Sequence, residues 1–159
     1  MADNQELTLL AYTSVASHEM THTELIALLE KARENNKTRE VTGMLLYMEG
    51  CFFQVLEGKR AVLDILFEII SRDSRHHNVL KLIEEPLLER GFTAWTMGYQ
   101  HVTREEMANI TGLSDFLDRE NSGFDGMESA RARKLINHFR EGRWQNKNVG
   151  RHQIIRMGA

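Results

Sequence analysis

Hydrophobic and polar positions alternate with a period of two from Leu7 to Thr13, the pattern of a strand with two distinct faces. Leu7, Leu9 and Ala11 fall on one face, and Thr8, Leu10 and Tyr12 on the other. The period then lengthens. Thr21-His22-Thr23-Glu24 has capping-box spacing, and Leu25, Leu28, Leu29 and Ala32 recur at i, i+3, i+4 and i+7, which predicts a helix ending near Asn35-Asn36. Val41–Met48 predicts a second strand. Glu49-Gly50 makes a short turn into a third, Cys51-Phe52-Phe53-Gln54-Val55-Leu56-Glu57-Gly58, so these two should pair as a hairpin. Gly58 is expected to break that strand. A second helix follows, with Val62, Ile65, Leu66, Ile69 and Ile70 as its apolar stripe up to about Arg72. Val79–Ile83 and Ala94–Val102 predict two further strands, separated by a loop that holds Pro86, the only proline.

The order β-α-β-β-α-β-β predicts an α+β fold. It is a ferredoxin-like mixed sheet with one extra strand and two helices on one face. The character changes after residue 102. Thr103 and Glu106 form another capping box, followed by an intermittent stripe of Ile110, Leu113, Phe116 and Leu117 broken by Gly112. Asn121-Ser122-Gly123 reads as a turn. Asp125 and Glu128 suggest the start of a helix carrying Ala132, Leu135, Ile136 and Phe139. The expected organisation is therefore a domain over 7–102, a C-terminal helical pair over 103–145, and a flexible tail over 146–159. Residues 103–128 carry two basic and seven acidic residues, and 129–159 carry eight basic and one acidic. That asymmetry predicts helices that pair with each other or face a partner.

Gln54 breaks the apolar pattern. It shares a face with Phe52 and Leu56, while Phe53 and Val55 face the other way, and both faces read as buried. An unpaired buried polar group costs about 1–3 kcal/mol, so both the oxygen and the nitrogen of this amide should have partners. Tyr12 could supply one if the first strand lies beside the third; otherwise it is a core aromatic with its hydroxyl toward solvent. Asn35-Asn36 is either a C-cap or an amide pair able to read the C=O and N–H edge of a heterocycle. Asp73-Ser74-Arg75-His76-His77 is either a solvated loop after a helix or part of a site. Trp95 and Met97 share a strand face, by default in the core.

Composition narrows the classes. The 159 residues, 42% hydrophobic with a formal charge of −3, suit a globular chain. The single cysteine, Cys51, excludes an intramolecular disulfide and fits a reducing compartment. The polar N-terminus is no signal peptide, and no apolar run reaches the roughly 18 residues of a membrane helix, so a cytoplasmic location is expected. His18 and His22 lack companion ligands and adjacent His76-His77 point apart, which predicts no metal site. There is no phosphate loop, nucleophile elbow or paired-carboxylate signature. The basic C-terminal stretch lacks interleaved aromatics and a recognised module, which argues against nucleic acid.

Six segments taken together carry a resemblance. They are Tyr12 within Leu-Ala-Tyr-Thr-Ser, Asn35-Asn36, Val-Thr-Gly-Met-Leu-Leu-Tyr at 41–47, Phe-Phe-Gln-Val-Leu-Glu-Gly at 52–58, Asp-Ser-Arg-His-His at 73–77 and Trp-Thr-Met at 95–97. In this order and spacing they resemble the BLUF domain, the sensors of blue light using FAD. The resemblance spans about residues 7–102 and implies a flavin between the two helices, over the sheet. It implies that Tyr12 is the photo-oxidisable tyrosine and Gln54 the bridge to flavin N5 and C4=O. Asn36 would bind the C4=O/N3 edge with Asn35 nearby, and Arg75 would lie near C2=O. His76 would lie against the ring and Asp73 near the ribityl chain, with Leu28 and Ile70 as apolar walls and Trp95 and Met97 as the responsive pair. Many members carry His where this chain has Asn35. An electron and a proton are expected to leave Tyr12 through Gln54, whose amide ends rotated or tautomerised and donates a further hydrogen bond to C4=O, shifting absorption to the red.

The chain resembles the short, single-domain members, which implies a non-enzymatic sensor that signals to a separate protein through the last strand and the C-terminal helices. Homo-oligomerisation is expected as well. Two other classes are a small flavin-dependent enzyme and a light-independent interaction scaffold. A yellow protein with a reversible blue-light red shift would separate the sensor from both.

Overall fold

A computed structural model describes residues 5–92, 97–110, 113, 124 and 127–140. The elements are β1 (Leu7–Ala16), α1 (His22–Arg39), β2 (Thr42–Met48), β3 (Cys51–Lys59), α2 (Arg60–Ser71), β4 (His76–Pro86), β5 (Gly98–His101), α3 (Arg104–Ala108) and α4 (Ser129–Arg140). The strands form one mixed sheet in the order β4-β1-β3-β2-β5, antiparallel except for the β2–β5 pair. This is the expected α+β, ferredoxin-like arrangement with β5 as the added strand.

Strands β1, β2 and β3 are buried on both faces while the edge strand β4 is largely exposed, and alternation sorts the inner side chains into two cores. Leu10, Tyr12, Leu45, Phe52 and Leu56 pack with Leu25 and Leu29 of α1 and Leu63 and Leu66 of α2. Leu9, Ala11, Met44, Leu46, Phe53 and Val55 pack on the other face with Ala132, Leu135, Ile136 and Phe139 of α4. Gly43 permits the tight β2–β3 approach, since a Cβ there would lie 1.9 Å from the Val55 carbonyl oxygen.

Both capping boxes form. Thr21 accepts from the Glu24 N–H at 3.2 Å while Glu24 accepts from the Thr21 N–H at 3.1 Å, and Thr103 and Glu106 do the same. Several boundaries differ from expectation. Helix α1 continues past Asn35-Asn36 to Arg39 and is closed by Glu40 in the left-handed region at φ 57°, so neither Asn is a C-cap. Gly58 does not end β3, which reaches Lys59 by pairing with Leu7 and Thr8 of β1. Pro86 is the last residue of β4, an edge strand, where a missing N–H is tolerated. Helix α2 turns Leu63 and Leu66 inward and leaves Ile65 and Ile69 61% and 52% exposed. It is apolar on most sides, so periodicity alone does not choose the packed face. Helix α4 starts at Ser129, whose hydroxyl donates to the Leu82 carbonyl at 2.8 Å. Arg133 and Arg140 of α4 pair with Glu85 of β4 and Glu57 of β3. Trp95, Gly112, Phe116, Leu117, the Asn121-Ser122-Gly123 turn and the 146–159 tail lie outside the described residues.

Candidate functional site

Tyr12 and Gln54 are directly opposed residues on β1 and β3, and Gln54 is in turn opposite Leu45 of β2. Both point to the face covered by α1 and α2. The Tyr12 hydroxyl donates to Gln54 Oε1, and Gln54 Nε2 donates to Met97 Sδ at 3.4 Å. The amide is 7% exposed and has partners for both ends, as its burial demands. Burial pushes the Tyr12 phenol well above its usual range, with the negative charge of Asp73 adding to the effect. The phenol is a neutral donor at physiological pH. Its ring is packed edge-on by Phe67 and His76, at centroid separations of 5.6 and 6.3 Å.

Above this pair lies a cleft of about 260 Å³ between the two helices. Tyr12, Leu28, Asn35, Asn36, Gln54, Ile70, Asp73, Arg75 and His76 all line it. Met97 sits behind Gln54, and Trp95 lies outside the described residues. Periodicity explains how α1 supplies its share: Leu25, Leu29, Arg33 and Asn36 form the inward stripe, with Leu28 and Asn35 beside it at the cleft. Asn36 is buried, and its carbonyl accepts from the Val41 N–H at 2.9 Å where the chain leaves the helix.

At the far rim, Asp73 accepts from the Arg75 backbone N–H at 2.9 Å and from Nε at 2.9 Å, and also pairs with Nη2. These bonds from Arg75 pull the Asp73 carboxyl down to about 2 and raise the guanidinium. His76 Nε2 lies 2.5 Å from the Ile70 carbonyl, which can only accept, so Nε2 carries a proton, and Nδ1 is hydrogen-bonded with Ser14 Oγ at 2.7 Å. Both ring nitrogens are thus engaged by the protein, and His76 offers the cleft its ring rather than a free hydrogen bond.

The sequence reading omitted further lining residues. Met20, Lys31, Arg39, Leu45, Phe52 and Leu66 also border the cleft. Leu45 and Phe52 were legible in principle, because they share the Gln54 face by strand alternation and cross-strand pairing. Arg33 was missed altogether. It is 5% exposed, and its Nε donates to the Met97 carbonyl at 3.2 Å. Desolvation lowers its pKa to about 10, against a partial offset from Glu30. The only hint was its place four residues after Leu29 on the buried stripe.

The cleft combines apolar walls with three carboxamides (Asn35, Asn36 and Gln54), a phenol and two guanidinium groups (Arg39 and Arg75). Such a lining suits a planar ligand with adjacent donors and acceptors. Comparison with known proteins agrees. The sequence model of a family described as "BLUF: Sensors of blue-light using FAD" matches residues 7–98. The photoactivated adenylate cyclase subunit beta of Euglena longa is 34% identical over 124 residues, covering 77% of this chain. The chain spans only 14% of that protein's length. Among solved structures, the dark state of BlrB, a BLUF protein, superposes with a TM-score of 0.66 at 29% identity, over 86% of this chain and 99% of that one. The photo-activated state of BlsA superposes at 0.72 and 27% identity, over 84% and 94%.

Proposed function

Because this chain belongs to the family of blue-light sensors using FAD, we propose that it is a photoreceptor whose Tyr12–Gln54–Met97 chain converts light into a changed setting of β5. The observation that carries this reading is the doubly engaged amide, with a phenol on its oxygen and a sulfur on its nitrogen. The donor set fits the cofactor. Asn36 and Asn35 offer amides and Arg75 a guanidinium to a polar ring edge, between walls that include Leu28 and Ile70. Asp73 would face the ribityl chain and His76 the ring. When bound, FAD supplies the blue absorption and accepts the electron that starts the photocycle.

The chain's own atoms do the rest. Tyr12 gives up an electron, and its hydroxyl proton has a route through Gln54 Oε1, already hydrogen-bonded to it. Turning the amide exchanges its ends, so that Nε2 faces Tyr12 and Oε1 faces Met97. The sulfur then loses its donor and meets an acceptor. Met97 immediately precedes β5, so this change acts on the strand that pairs with β2. Trp95 would respond with it. From β5 the signal passes to the segment over 103–145, which we assign as an output unit beside the 7–102 sensor domain. A shift of about 1.4 kcal/mol in that segment's packing would change a partner's affinity tenfold.

We further read the chain as a sensor without its own catalysis, acting on a separate protein. The near-complete coverage of BlrB and BlsA supports this. No helix among the described residues is long and apolar enough to cross a membrane, and the reading places the protein in the cytoplasm. Exposed Ile65, Leu80 and Leu88, which do not line the cleft, support self-association, which light scattering would measure. The central test is Tyr12→Phe. The variant should bind FAD and stay yellow but form no red-shifted state under blue light. A wild-type photocycle in Tyr12→Phe would refute the mechanism.

A further inference from the structure

Arg33 is the one buried cation on the inward stripe of α1, and the mechanism above does not use it. It projects past the cleft, which it does not line, to the start of β5. Its hydrogen bond runs from Nε to the main-chain carbonyl of Met97 at 3.2 Å, and Nη2 is buried with no partner among the described residues. No carboxylate among the described residues hydrogen-bonds it, so a desolvated guanidinium is kept here against a penalty. Apolar packing alone would be served as well by a Met or Leu at this place on the stripe. What a cation adds is a firm hold on one carbonyl.

That carbonyl belongs to the residue whose sulfur receives Gln54 Nε2. Met97 is fully buried, so the position of its main chain fixes where the sulfur lies. We infer that Arg33 is a positioning residue for the photocycle: by anchoring the Met97 carbonyl to α1 it sets the Met97 sulfur against Gln54, and so sets the orientation of the amide in the dark and the rate of return after light. The inference rests on the Gln54–Met97 reading above. It also assigns α1 a mechanical role, tying the helix that carries Asn35 and Asn36 to the strand that leaves the sensor. A lysine could reach the same carbonyl with one donor, whereas a methionine keeps the bulk and loses the bond.

The test uses the FAD-bound protein with Arg33→Met, Arg33→Lys, Met97→Ala and the Arg33→Met/Met97→Ala double variant. Two readouts are followed: the dark-recovery rate after a blue pulse, and amide hydrogen exchange across 97–101 in the dark. A net hydrogen bond corresponds to roughly a 3–10-fold effect. Arg33→Met should change recovery by about that factor and accelerate exchange at 97–101, and Arg33→Lys should fall closer to wild type in both. The double variant should recover at the rate of Met97→Ala alone, because Arg33 acts through that side chain. Wild-type recovery or exchange in Arg33→Met, or effects that multiply in the double variant, would overturn this inference alone. Wild-type recovery in Met97→Ala would overturn the Gln54–Met97 reading and this inference with it. If Arg33→Met does not fold, Arg33→Gln, too short to reach the carbonyl, is judged by the same criteria.

Discussion

Replacing Glu57 by glutamine should destabilise the fold more than its conservative chemistry suggests. Glu57 is fully buried on β3, on the face opposite Gln54. One carboxylate oxygen accepts from Thr42 Oγ1 at 3.0 Å and the Phe92 N–H at 2.9 Å, and the other from the Gly91 N–H at 2.7 Å and Arg140 Nη2 at 3.3 Å. Every partner is a donor. A glutamine keeps one acceptor oxygen and puts an NH₂ where the second stood. With the amide oxygen serving Thr42 and Phe92, the NH₂ meets the Gly91 N–H and Arg140, donor against donor. An orphaned buried N–H costs about 1–3 kcal/mol. The Arg140 contact, at 3.3 Å and with the arginine side chain 26% exposed, adds only about 0.5–1 kcal/mol, since water can partly replace it. The sum is roughly 2–4 kcal/mol, and at ~2–4 °C per kcal/mol for a chain of this size the midpoint should fall by about 5–15 °C. Thermal unfolding followed by circular dichroism, with Arg140→Met and the double variant completing the cycle, measures it. A drop below about 2 °C in Glu57→Gln would show that the carboxylate does not hold the loop before β5, and the reasoning would fail.

Gly43→Ala should cost about 3 kcal/mol in urea unfolding, because a Cβ 1.9 Å from the Val55 oxygen forces β2 and β3 apart; a loss under ~1 kcal/mol would contradict that geometry. Asp73, held at about 2 by Arg75, contributes stability that is complete above about pH 4 and lost as pH falls through about 2. With the carboxylate some 30% exposed, wild type and Asp73→Asn should differ by only about 1 kcal/mol at pH 6, and the gap should close toward pH 2; an undiminished gap there would be the contrary result. Phe53→Ala empties a fully buried position on the α4 side and should cost about 3–5 kcal/mol, yet leave flavin affinity of the folded protein unchanged, as titration in the cold would show. Loss of affinity would mean the two faces are not independent.

The sheet and the amide's need for partners were legible because both rest on local rules, strand alternation and the cost of an unpaired buried group. From those rules Gln54 could be seen to require a neighbour, and Tyr12 could be named for it. Local rules failed where distant residues decide. The end of α1 was misplaced because Asn35-Asn36 looks like a stop, while the helix closes at Glu40, a residue with no intrinsic liking for the left-handed region. Arg33 and Glu57 escaped because a charged residue reads as solvent-facing. Their burial depends on Met97, Gly91, Phe92 and Arg140, which lie 34 to 83 positions away. The outward turn of Ile65 and the turn of Ile69 toward the cleft have the same origin, since a helix apolar on most sides takes its orientation from what it packs against.

Strand β3 brings these points together. Within four residues it presents Gln54 to the cleft and Glu57 to the opposite side, where Arg140 of α4 and the loop before β5 are fastened. Met97 is held on the cleft side by Gln54 and Arg33, and the approach to it at Gly91-Phe92 is held on the far side by Glu57. Gly91-Phe92 and Met97 are therefore each held from β3, and Met97 also from α1. A packed interior yields in discrete steps rather than by gradual bending. Releasing Met97 while Gly91 and Phe92 stay bound to Glu57 would let the start of β5 shift, whereas loss of both sets of contacts would free both attachments. On the proposed mechanism a turned amide would loosen only the Met97 contact, which favours a change confined to β5 and its neighbours over a general loosening of the sheet.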